Sequence, residues 1–116
     1  MKSAAQFHIV LVTAPDRKIA RQLAKSALQA RVAACANLIS GLESHYWWKG
    51  RLESAAEVLV IFKTIEKHLR KLEKLVLVNH PYDTPEFVGL PLAGGNERYL
   101  SWLARSVRNP QITDGK

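Results

Sequence analysis

The sequence holds one cysteine, Cys35, so no disulfide can staple the chain internally. A lone thiol fits a reducing compartment, and the expected location is cytoplasmic. Long apolar runs are also missing. The run within "FHIVLVT" reaches about six residues, where a membrane helix needs about twenty. The charged, proline-containing segment after it is unlike a signal-peptide cleavage region, and no membrane partner is expected. There is no glycine-rich phosphate loop, because "AGGN" (Ala93 to Asn96) reads as a turn before a helix. His8, His45, His68 and His80 form no HxH or HxxxH pair. No spacing points to a Ser-His-Asp or Cys-His arrangement, and no carboxylates pair for acid–base work, so catalysis is not expected. Cys35 lies in an apolar stretch and reads as a buried structural thiol.

Acidic residues are the scarcer charge. The 116 residues include 17 Lys and Arg against 10 Asp and Glu, a formal net charge of +7. Such a balance raises the question of nucleic acid. The charges are not in one block, however. Lys67, Arg70, Lys71 and Lys74 recur at helical spacing opposite apolar residues, the pattern of a solvated helix face. An RNA-recognition strand would interleave glycine and aromatics after its basic residue. Here Lys49-Gly50 leads into Arg51-Leu52, and Phe62 stands alone, so no specific nucleic-acid partner is expected.

What is present reads as one domain over residues 1–116, with an ordered core from about 7 to 107. Phe7 to Thr13 is a short β-branched run, a buried strand. Thr13 can cap the helix that follows, with Pro15 in its first turn and Asp16 three residues after the cap. Ile19, Ala20, Leu23, Ala24, Ala27 and Leu28 form its apolar stripe. Val32 to Ser40 is a second strand, Gly41 marks a bulge, and the strand resumes to Trp48. Lys49-Gly50 makes a two-residue turn. The return strand ends in Glu57 to Thr64. A second helix covers Glu66 to Val78, with Ile65, Leu69, Leu72 and Val76 on one face. "NHPYDTPE" breaks it, and Glu86 to Leu92 is an edge strand because Pro91 cannot donate to a ladder. Asn96 caps a last helix carrying Tyr99, Leu100, Leu103 and Val107, Asn109-Pro110 stops it, and 110–116 form a flexible tail. The order β-α-β-β-α-β-α permits two right-handed crossovers. The expected class is α+β, a ferredoxin-like split βαβ sandwich with a long extended hairpin and a C-terminal helix.

The hairpin tip, "SHYWWKGRLES", carries Tyr46, Trp47 and Trp48 beside the turn. With Lys49-Gly50 at the corner, alternation puts Tyr46 and Trp48 on one face and Trp47 on the other. Each arm can run about fifteen residues, where a typical strand has about five or six, so the ribbon projects past the body. Large aromatics on both faces of a projecting ribbon require a partner. Nucleic acid and a small ligand are options, but edge pairing with another copy uses the rings and the free backbone together.

The runs "LVTAPD", "AACANLI", "HYWWKGRLE", "HPYDTPE" and the later "GN..YLSWL" together resemble the CutA divalent-cation tolerance family, over nearly the whole chain. The resemblance implies a compact homotrimer whose hairpin arms wrap neighbouring subunits, as in PII signal-transduction proteins. Tyr46, Trp47 and Trp48 then become subunit anchors. It also implies a part in copper or other divalent-cation tolerance, by metal binding or regulation and without catalysis. No cofactor is required. A PII-like small-ligand sensor is the alternative, with an RNA-binding ferredoxin-like domain behind it. The metal expectation centres on His80, held extended before Pro81, with Asp83 nearby and Glu86 as a second donor. Family members read as copper binders carry a cysteine near the end of the first strand and two histidines before Pro-Tyr. Here Val12 and Asn79 stand at two of those three positions, so any Cu(II) or other divalent cation is expected to bind weakly.

Overall fold

The computed structural model describes Lys2–Ser3 and residues 6–108. The order is β1 (Lys2–Ser3), β2 (Phe7–Ala14), α1 (Arg17–Gln29), β3 (Cys35–Trp48), β4 (Arg51–Ile65), a 3-10 turn (Glu66–His68), α2 (Leu69–Asn79), β5 (Val88–Pro91), β6 (Gly94–Gly95) and α3 (Glu97–Ser106). Four strands form one antiparallel sheet in the order β3-β4-β2-β5, the arrangement expected of a ferredoxin-like sandwich. The proposed tail, 110–116, and the Asn109-Pro110 stop lie outside the described residues.

Local chemistry explains where the elements begin and end. Thr13 does not cap α1. Its backbone is in the ladder opposite Leu59, and β2 runs on to Ala14. Asp16 caps instead, its carboxylate accepting the Ile19 N–H at 2.9 Å, which places Pro15 before the helix. The second strand begins at Cys35 and not at Val32, because Val32 closes the helix before it. Arg31 adopts φ 59°, its N–H reaches Leu28 O, and the Val32 N–H reaches Ala27 O. That pair of bonds is a Schellman motif, built without the usual glycine. The bulge falls between Ile39 and Leu42, with Gly41 at φ 83°, and Lys49 and Gly50 both take positive φ at the turn. Ile65 belongs to β4, where it pairs with Phe7, and not to the face of α2. The α-helix starts only after the 3-10 turn and reaches Asn79. β5 is the edge strand and contains Pro91, as expected. Gly94–Gly95 is more than a turn, since it pairs with Lys2–Ser3.

The main core lies between the sheet and the two crossover helices. Val10, Val12 and Ala14 of β2 and Val58, Val60 and Phe62 of β4 meet Ala20, Leu23 and Ala27 of α1 and Leu72 and Val76 of α2. Alanines along α1 let that helix lie close to the sheet. α3 joins a smaller cluster, Leu100 and Leu103 with Phe7, Ile65 and Leu92. Phe7 is three residues from Val10, so this cluster sits on the opposite side of β2 from the main core. Elsewhere no element among the described residues covers that side. Cross-strand pairing sets Val88, Leu11 and Ile61 side by side, then Leu90 beside Ile9, and Leu59 beside Ile39. Ile39, Val88 and Leu90 are exposed and the other four are half-buried.

Candidate functional site

The loop after α2 crosses the end of β2, and its anchor is His80. The residue precedes Pro81 and takes the extended conformation (φ −91°, ψ 137°) that a following proline imposes. This turns the imidazole inward, where it is buried. Nδ1 accepts the Tyr82 backbone N–H at 3.1 Å, so the ring proton sits on Nε2, which donates to Thr13 O at 2.7 Å. The loop is thereby tied to β2, and the Tyr82 ring stacks at a tilt against His80, centroids 4.7 Å apart. Tyr82 in turn donates its hydroxyl to Glu57 Oε2 at 2.9 Å. Burial, followed by this bond to a carboxylate, pushes the Tyr82 phenol up to about 12. Glu86 lies near the same carboxylate. Partial burial first, and the negative charge of Glu57 second, hold its carboxyl above the ordinary range.

These groups form one wall of an open cleft of about 820 Å³. The other wall is the ribbon. Leu42 pairs with Glu57, Ser44 with Ala55, Tyr46 with Glu53 and Trp48 with Arg51, so Ser44, Tyr46 and Trp48 share the ribbon face of Glu57. The pairing is the one read from the sequence, and it puts Trp47 and Leu52 together on the far face. All three aromatics of the tip are exposed, Trp47 at 73%.

Of the residues singled out for metal, Glu86 and Asp83 line the cleft. His80 stands behind it as a brace, and neither ring nitrogen has a free lone pair. The expectation that His80 is itself a donor is therefore not what this geometry offers. Val12 is fully buried in the core, and Asn79 is exposed, its amide donating to Leu75 O at 2.8 Å. Cys35 is half-buried at the far end of the sheet, opposite Lys63, and not in the main core. His45 pairs with Glu43 at 2.7 Å, and His68 Nε2 contacts Val107 O at 2.9 Å. Among the described residues no three His, Cys, Asp or Glu side chains gather as a metal-holding group. A copper centre of imidazole and thiolate does not fit these positions. The sequence reading missed Glu57, Tyr82 and Thr13. The available signal was Glu57 itself, a carboxylate opening the buried run "EVLVIFKT".

Comparison with known proteins places this geometry. Residues 8–106 match the family model described as CutA1 divalent ion tolerance protein. The chain is 45% identical over 100 residues to the rice protein "Protein CutA 1, chloroplastic", covering 86% of this chain but only 56% of that protein. The same holds for its Arabidopsis thaliana counterpart, so the chain spans little more than half the length of these plant relatives. Against the divalent-cation tolerance protein CutA of Pectobacterium atrosepticum it is 44% identical over 86% of this chain and 91% of that one. The solved structure of the Thermus thermophilus divalent cation tolerance protein superposes with a TM-score of 0.84 at 41% identity, over 86% of this chain and 97% of that chain. Among the described residues no helix is long and apolar enough to cross a membrane. On the family match, the identity to its members and the shared fold, the chain belongs to the CutA1 divalent ion tolerance family.

Proposed function

We propose that the protein acts as a homotrimer in the cellular response to divalent cations, copper included, by binding and regulation and not by catalysis. The observation that carries this reading is the uncovered sheet face. Seven aliphatic side chains lie there, and among the described residues no layer covers them. Burying such surface against other copies contributes roughly 25 cal/mol per Å². A closed ring lets every copy cover its neighbour, and three-fold closure is the state expected of the family. Tyr46, Trp47 and Trp48 then act as subunit anchors on both faces of each arm. The lone cysteine keeps the cytoplasm as the setting of this reading.

The cleft is the effector site in this reading, and its lining favours a cation. It includes Glu57, Asp83 and Glu86, with Glu43 paired to His45 and no Lys or Arg, a balance that opposes the small anion of a PII-like sensor. Divalent metal, Cu(II) among them, enters only as a weak contact at Glu86 beside Glu57. His80 contributes by holding the loop. Native mass spectrometry with and without Cu(II) tests the proposal. Trimer mass with weak, sub-stoichiometric metal is expected. A monomer at micromolar concentration removes the assembly, and sub-nanomolar Cu(II) binding removes the weak site.

A further inference from the structure

The positive charge is scattered along the sequence, but the fold gathers it in one layer. α1 and α2 together hold seven Lys and Arg against one carboxylate, Glu73, a net +6 of the chain's +7. The rest of the chain is close to neutral, with ten Lys and Arg against nine Asp and Glu. Among the described residues, none of those seven cations has a carboxylate within ion-pair distance. The outward face of α2 is also more than a solvated row of charges. Leu72 and Val76 point into the core, which turns Arg70, Lys74 and Leu77 outward at the spacing i, i+4, i+7, with Lys71 and Val78 beside them. Leu77 is exposed and Val78 is 74% exposed. Two adjacent aliphatics, one turn after Lys74, gain nothing from water and give a partner apolar surface to bury. β2 and β4 are antiparallel, so the helices that follow them run in opposite directions, and the His80–Thr13 bond joins the end of α2 to the start of α1. Lys18 and Arg21, exposed on α1, thus come to the same end of the layer as Leu77 and Val78.

We propose that the outer helix layer docks an acidic amphipathic segment of another protein, its carboxylates on Lys18, Arg21, Arg70 and Lys74 and its aliphatic side chains on Leu77 and Val78. The layer lies across the sheet from the face that the trimer is proposed to bury, so it is open in the single protomer and in the ring alike. Charge complementarity sets the sign of the partner, and the aliphatic pair sets its class. Nucleic acid would meet the cations but has no group for Leu77 and Val78, and neither helix carries an aromatic on which a base could stack. A flat anionic bilayer would meet one such face at a time, since a closed ring turns its three helix layers outward in three directions. This goes beyond the proposed response to cations and gives that response a surface through which to act.

The test is fluorescence-anisotropy titration of the full chain with a labelled peptide of Glu and Leu in helical repeat, its leucines on one face. A shuffled peptide of the same composition, an oligodeoxythymidine and phosphatidylserine vesicles are titrated in parallel, and sedimentation follows the oligomeric state. Saturable binding of the patterned peptide is expected, weakening as salt rises, with the shuffled peptide about tenfold weaker or more. Lys74→Glu should weaken binding about tenfold, whereas Arg98→Glu on α3, the same change of charge away from the layer, should leave it nearly unchanged. Leu77→Gln with Val78→Gln should also weaken it about tenfold while circular dichroism stays the same, because both residues are exposed. No saturable peptide binding, equal affinity for the shuffled peptide, or equal losses from Lys74→Glu and Arg98→Glu overturns the proposal. Tighter binding of the oligonucleotide or of the vesicles than of the peptide overturns it in favour of that partner. Weaker assembly of the Leu77→Gln, Val78→Gln variant means that another copy of the chain occupies the face, which also overturns it. A failed Cu(II) response with intact peptide binding would instead remove the reading of the cleft and leave this surface standing.

Discussion

From Cys35 to Ile39 the hairpin is backed by α1 and α2, whereas from Leu42 to Trp48 no layer among the described residues backs it. The two stretches belong to one antiparallel ribbon with continuous pairing on both sides of the bulge. At the base, Val60 and Phe62 are fully buried, while at the tip Trp47 and Leu52, paired with each other, are 73% and 67% exposed. Apolar content is therefore not a guide to where a protomer keeps its core. At the base it holds the fold, and at the tip it has no fold to hold. What the tip stabilises must lie outside the protomer.

Phe62→Ala should break the base most severely. A fully buried ring between sheet and helices leaves a cavity, and a loss of about 3–5 kcal/mol in chemical denaturation is expected. The paired change Trp47→Ala with Trp48→Ala is the complementary experiment. The protomer should keep its secondary structure by circular dichroism while sedimentation reports weakened assembly, at about 1.5–3 kcal/mol for each ring buried across an interface. Equal destabilisation of an isolated protomer would show that the tip supports the fold after all. Between the halves stands Gly41, in the left-handed region with open space where a side chain would stand, so Gly41→Ala tests backbone strain alone. About 1 kcal/mol is expected, together with weaker assembly as the tip is re-aimed.

The smallest effect concerns Tyr82, which ties the loop to the base of the tip. Unfolded tyrosine ionises near 10, whereas this hydroxyl stays protonated to about 12 in the folded chain. Its contribution to stability is complete below pH 10 and is lost as pH rises through 12. Absorbance at alkaline pH should show one of the three tyrosines ionising late, and Tyr82→Phe should remove that late step.

Most of the fold is legible because its signals are local. The Gly41 bulge, the Lys49-Gly50 turn, the cap at Asn96 and the register of the aromatic tip all follow from a few adjacent residues. The misread boundaries share one cause. At Thr13, Val32 and Ile65 the backbone N–H and C=O groups had two possible partners, one in a helix terminus and one in a strand, and only the assembled chain decides between them. The Gly94–Gly95 pairing with Lys2–Ser3 is too short to leave a periodicity. The cleft was harder to see. His80 attracts attention as a donor, yet its lone pair is taken by an N–H two residues away, and Glu57 meets Tyr82 across 25 residues. Metal-ligand spacing along a sequence cannot reveal a hydrogen bond that has already used the ligand.

The two-residue turn at Lys49–Gly50 also bears on the order of events as the chain folds. Pairing of β3 with β4 grows outward from that turn, and each rung closes almost no additional loop. Such hairpins form in about 1–10 μs. Pairing of β2 with β4 must first close a loop of roughly forty residues or more, and non-local contacts of that kind are slow to make. The arm is thus the cheapest piece of sheet to build, and its tryptophans stand ready before the body that carries them is complete.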